Sequence, residues 1–112
     1  MSEIEQGSFM LDSDDPTILA VKGYFENKDD YKRYVESLSK AILTVYQKHN
    51  EVKLRCIGSA SISNAVNAHV QAAANISKQG DSVALVPSFT KVKLNENDEF
   101  MRTAVVLKVV KL

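Results

Sequence analysis

Cys56-Ile-Gly-Ser-Ala-Ser-Ile-Ser-Asn-Ala-Val-Asn-Ala-His-Val-Gln-Ala-Ala-Ala-Asn-Ile-Ser77 decides the fold of this 112-residue chain. An apolar run stops at Gly58. Serines follow at 59, 61 and 63. An alanine-rich stretch then continues with no charged side chain beyond what His69 can carry. This order describes a strand that enters a glycine corner and leaves it as a helix. The corner exposes backbone N–H groups at the positive end of the helix dipole, which suits a phosphate or another anion. Ser59, Ser61 and Ser63 are also good capping residues, so simple capping is a second reading of the same letters.

Upstream, Glu51 to Ile57 alternates polar and apolar. Strand period puts Val52, Leu54 and Cys56 on one face. Before it, Tyr31, Val35, Leu38, Ile42 and Val45 recur at spacings of four and three, predicting an amphipathic helix to about His49. Asn27 can cap that helix, and Asp29 and Asp30 complement its dipole. Thr17 to Gly23, bounded by Pro16, reads as a first strand.

Downstream, the second helix is predicted from about Ser61 to Lys78. Its stripe is Ile62, Val66, His69, Ala73 and Ile76, widened by Ala65, Ala68 and Ala72. Asp81 to Leu94 forms a long strand whose apolar phase flips around Pro87 to Thr90. Pro87 lacks a donor and belongs at an edge or a bulge. Asn95 to Glu99 is a polar turn, and Phe100 to Lys111 is the last strand.

The order is therefore β-α-β-α-β-β. Strands joined through a helix run parallel with a right-handed crossover, and the last two strands form a hairpin. The expected architecture is a two-layer α/β sandwich, a mixed four-stranded sheet with two helices on one face. Residues 17–112 are expected to form the domain behind an acidic, mobile leader at 1–16. Phe9, Met10 and Leu11 in that leader could dock on a neighbour.

Composition narrows the class. Hydrophobic residues make up 45% and charged residues 25%, an ordinary globular balance. The single cysteine, Cys56, rules out an internal disulfide or a multi-cysteine zinc site and reads as a buried thiol. No secretory pattern or membrane-length apolar run is present, so a cytoplasmic location is expected. The formal net charge is zero, yet Glu3, Glu5, Asp12, Asp14 and Asp15 stand in residues 1–16 without a cation. The rest carries all 14 cations against nine acids. A basic body fits an anionic partner.

No catalytic constellation emerges. His49 and His69 fall on different helices, and His69 reads as a packed core or interface residue. A Ser/His pair with Asp81 lacks a nucleophile elbow. Gly58 to Ser61 lacks the second glycine and the lysine of a P-loop. No metal or cofactor is expected. The cations carry more information. Lys91, Lys93, Arg102, Lys108 and Lys111 lie on the hairpin against Glu96, Asp98 and Glu99, and Lys91 and Lys93 share a strand face. Strand lysines commonly serve only solvation, but a cationic hairpin can also enter a nucleic-acid groove. Lys28, in the first β-α loop, would sit beside Gly58 and Ser59 at the same end of a parallel β-α-β unit.

Ile57-Gly-Ser-Ala-Ser-Ile-Ser-Asn-Ala-Val66, Val86-Pro-Ser-Phe-Thr-Lys-Val-Lys-Leu94 and Arg102-Thr-Ala-Val-Val-Leu-Lys-Val109 together resemble the stage V sporulation protein S family. The resemblance spans about residues 52–111. It implies a bacterial cytoplasmic protein of the Alba-like superfamily, with a β-α-β-α-β-β fold, a link to spore development, and nucleic-acid binding rather than catalysis. Alba proteins are dimers that use the loop before each helix and the terminal hairpin. Where they commonly carry a basic side chain after this glycine, and another inside the helix, this chain has Ser59 and Asn64.

The leading expectation is a dimeric, sequence-tolerant nucleic-acid binder. Gly58, Ser59 and Ser61 would hold a phosphate, and Lys28, Lys91, Lys93 and Arg102 would supply charge. The alternative is an oligomerisation module without nucleic acid. A phosphometabolite sensor built on Gly58 to Ser61 is a third possibility.

Overall fold

The computed structural model describes residues 15–93 and 100–112. Its elements are β1 (Ile18–Val21), α1 (Lys28–His49), β2 (Val52–Cys56), α2 (Ser59–Lys78), β3 (Val83–Val92) and β4 (Arg102–Lys111). The expected order is realised as a mixed four-stranded sheet with strand order β1-β2-β4-β3. β1 and β2 pair in parallel, while β4 is antiparallel to both β2 and β3. The turn expected at Asn95 to Glu99 and the leader residues Phe9 to Leu11 lie outside the described residues.

α1 forms where the sequence supplies both caps. The Asn27 side chain accepts from the Asp30 N–H at 2.8 Å, and Asn50 closes the helix in the left-handed region with its N–H on the Tyr46 carbonyl. Its buried face is Tyr34, Val35, Leu38, Ser39, Ile42 and Tyr46, whereas Tyr31 and Val45 are half-buried. The expected stripe is thus turned slightly, because two tyrosines bury their rings while their hydroxyls find partners at the margin. The Tyr34 hydroxyl oxygen accepts from the Lys22 N–H at 2.6 Å, and the Tyr46 hydroxyl lies 3.3 Å from an Asp81 carboxylate oxygen.

The core lies between sheet and helices. Val52, Leu54 and Cys56 face it as their alternation requires, joined by Leu19, Leu107 and Val109. α2 presents Ala65, Ala68 and Ala72, each 0% exposed, together with Ile76 and His69. This corrects the expected stripe. Alanines let the helix approach closely, so they take the centre. Val66, at 40% exposed, and Val70, at 62%, are turned outward.

β3 keeps one unbroken register with β4, from Val83 opposite Lys111 to Val92 opposite Arg102. No bulge interrupts it, and Pro87 is accommodated because β3 is an edge strand. The phase flip has another cause. Beyond Phe89 the hairpin outruns β2, whose last partner is Val105, so its far part has no single buried face.

Candidate nucleic-acid interface

One row of the sheet reads Val21, Cys56, Val105 and Phe89 across the four strands. At this end β1 runs into the loop before α1, and β2 runs into Gly58 and α2. The β3–β4 ribbon continues three residues per strand past the row, about 10 Å at strand rise. The two β-α corners and the ribbon therefore share one end of the molecule.

The two corners also touch. Asn64 donates its side-chain amide to the Lys22 and Gly23 carbonyls at 2.8 and 2.7 Å. A Cβ on Gly23 would stand 3.4 Å from both the Ala60 Cβ and the Ser61 amide nitrogen. Asn64 is thus a 4%-exposed clamp between loop and helix. Neither composition nor periodicity could have shown this, because the carbonyls come from a loop 41 and 42 residues away.

The helix begins at Ser59, two residues earlier than its pattern indicated. Gly58 is its N-cap at φ 91° and ψ 157°, a backbone region that glycine enters freely, and among the described residues no side chain caps the first turn. Capping by the serines is therefore not what happens. Ser61 is 1% exposed, and its hydroxyl donates to the Ile57 and Gly58 carbonyls at 2.9 and 2.8 Å. Of the three expected phosphate contacts, Gly58 and Ser59 are exposed and Ser61 is spent inside the corner. The first turn of α2 carries no acid. α1 differs: Asp29 and Asp30 occupy its first turn, and Asp30 contacts Asn27 and Arg33. Lys28 is exposed beside those acids. A helix start whose first turn holds no acid is thus a property of α2 and not of α1.

The cations sort by position. Lys53 contacts Asp15 and Glu51, Lys108 contacts Glu51, and Lys111 contacts Asp81, all toward the opposite end of the sheet. Thr17 and Lys53 hold the Asp15 carboxyl down to about 2, chiefly through the Thr17 hydroxyl bond at 2.6 Å. Lys28, Lys91, Lys93 and Arg102 are exposed and have no ion-pair partner among the described residues. Lys91 reaches Thr103 across the ribbon at 2.7 Å. Arg102, opposite Val92, projects from the other ribbon face. Glu96, Asp98 and Glu99 lie outside the described residues.

Cys56 and His69 are buried. The Cys56 thiol is 1% exposed and pushed up to about 11 by burial. Burial lowers the pKa of the His69 imidazole, whose Nδ1 has no hydrogen-bond partner among the described residues. Among the described residues, no group of three His, Cys, Asp or Glu could hold a metal ion, and no helix is long and apolar enough to cross a membrane.

The family model described as stage V sporulation protein S matches residues 31–112, from the first turn of α1 to the last residue of the chain. The chain belongs to that family. No curated protein matches it.

Proposed function

We propose that this member of the stage V sporulation protein S family is a non-enzymatic, sequence-tolerant nucleic-acid-binding protein that works as a cytoplasmic dimer or higher oligomer. One observation carries the reading: a helix start with no acid in its first turn and a ribbon whose cations have no ion-pair partner among the described residues lie at the same sheet end, while Lys53, Lys108 and Lys111 toward the other end are ion-paired. The N–H groups after Gly58 and the Ser59 hydroxyl bind a phosphate. Lys91, Lys93 and Arg102 neutralise its neighbours from both faces of the ribbon, and Lys28 adds charge at the rim. Contacts of this kind go to the backbone, so they set affinity and salt dependence rather than sequence choice.

A gel-shift titration at low salt tests this with the wild type and a Lys91→Glu/Lys93→Glu variant. Retarded complexes that the variant loses support the reading. Equal affinity for both, or no complex at low salt, removes it.

Self-association rests on α2. Its exposed side carries Ser59, Ser63, Val66, Asn67, Val70, Gln71, Ala74 and Ser77, with no charge before Lys78. A solvent-facing helix side normally bears charges. Val66 and Val70 favour a second copy as the cover. The second reading, an oligomerisation module without nucleic acid, keeps this surface and drops the ribbon's role.

A further inference from the structure

We propose that the polynucleotide this protein takes is single-stranded, with one unstacked base held in a cleft of the loop before α1. The inference rests on the nucleic-acid reading above and names the form of the ligand. The cleft has a volume of about 360 Å³, within the size range of small-ligand sites, and is lined by Tyr24, Phe25, Tyr31, Lys28 and Glu26, with Ala60 of α2 at its border. Phe25 of the loop and Tyr31 of α1 pack against the core, and Tyr24 stands exposed at the opening.

The cluster is braced on its inner side. Phe25 meets Tyr31 edge-on at 6.4 Å and Tyr34 at 4.9 Å, and the Lys22 ammonium stands 4.6 Å from its ring centre. Tyr31 is fixed in turn by the Asn67 amide, which donates to its hydroxyl at 2.9 Å. Tyr24 alone is left open, at 75% exposed. A base can lie on its ring without disturbing the packed rings behind it. Lys28 stands at the rim for the attached phosphate.

The ribbon repeats the combination. Phe89 is 74% exposed on the same strand face as Lys91, and Phe100 is 79% exposed just before Arg102. Cations alone would serve a duplex, whose bases are already stacked on one another. Exposed aromatic faces among cations are useful to a strand whose bases are free, and stacking tolerates any sequence.

The test is fluorescence anisotropy at low salt with the full chain, a labelled oligothymidine of about 12 nucleotides and a duplex of the same length. The single strand should bind more tightly than the duplex. Tyr24→Ala should weaken the single strand about five- to 150-fold and leave the duplex unchanged, and Tyr24→Phe should restore the single-strand affinity. Phe89→Ala should show the same selectivity from the ribbon side. Duplex binding as tight as single-strand binding, or a Tyr24→Ala variant with unchanged single-strand affinity, overturns this inference and leaves the nucleic-acid reading standing. Absence of binding to either ligand removes both.

Discussion

The side-chain amide of Asn64 lies 2.8 Å from the carbonyl oxygen of Lys22, and this bond fastens the first β-α corner to the second. The same amide reaches the Gly23 carbonyl, so one buried side chain satisfies two loop acceptors. Corner alignment, on which the proposed phosphate site depends, is therefore built into the core.

Asn64→Ala should destabilise the protein. Two carbonyls lose their donor in a site that is 4% exposed, which costs on the order of 1–3 kcal/mol. For a domain of this size that lowers Tm by roughly 4–20 °C. Thermal unfolding by circular dichroism reads it directly. An unchanged Tm would mean that the clamp is dispensable.

Gly58→Ala should also destabilise, for a different reason. A Cβ there meets nothing within 4 Å, so no clash arises. The cost is the backbone at φ 91°, about 1–3 kcal/mol for a residue with a side chain. A chemical-denaturation midpoint that falls with an unchanged m-value is the expected outcome.

His69 gives a pH dependence whose sign follows from burial. Its folded pKa lies below the unfolded value of about 6.5, so the unfolded state takes up the proton first as pH falls. Stability is full above about pH 6.5 and declines below it. Tm should be lower at pH 5.5 than at pH 7.5, and His69→Gln should flatten the difference. A steeper decline in the variant would contradict the assignment. The Asp15 contribution lies in a separate window, lost only as pH falls from about 3.8 toward 2.

Val66→Glu/Val70→Glu should convert an oligomer to a monomer in light scattering coupled to size exclusion. Both side chains are exposed, so the fold tolerates the change. A wild type that is already monomeric would remove the role given to this helix side.

The strands and helices were legible because their periods are clean: Val52, Leu54 and Cys56 alternate into the core, and the Asn27 cap stands where Asp29 and Asp30 announce it. The stripe of α2 was misplaced because hydrophobicity ranks valine above alanine, whereas close packing on a sheet favours the smaller residue. Tyr34 and Tyr46 were hidden because their burial depends on distant partners, a loop N–H and Asp81. The candidate site was legible in part. Topology alone brings Lys28, Gly58, Ser59 and the ribbon to one end. The inward turn of Ser61 was not legible, since a serine after a helix-start glycine can cap, bind or donate backward, and only coordinates distinguish these.

The most direct test of the account compares two pairs of lysines at opposite ends of the sheet. Binding of a labelled oligonucleotide is measured across a salt series for the wild type, Lys91→Gln/Lys93→Gln and Lys108→Gln/Lys111→Gln. The ribbon pair should weaken binding and flatten the log–log salt slope by about 1–2, while the ion-paired Lys108 and Lys111 should leave the slope unchanged. Equal losses from both pairs, or a loss from Lys108 and Lys111 alone, would contradict a polyanion site at the corner end.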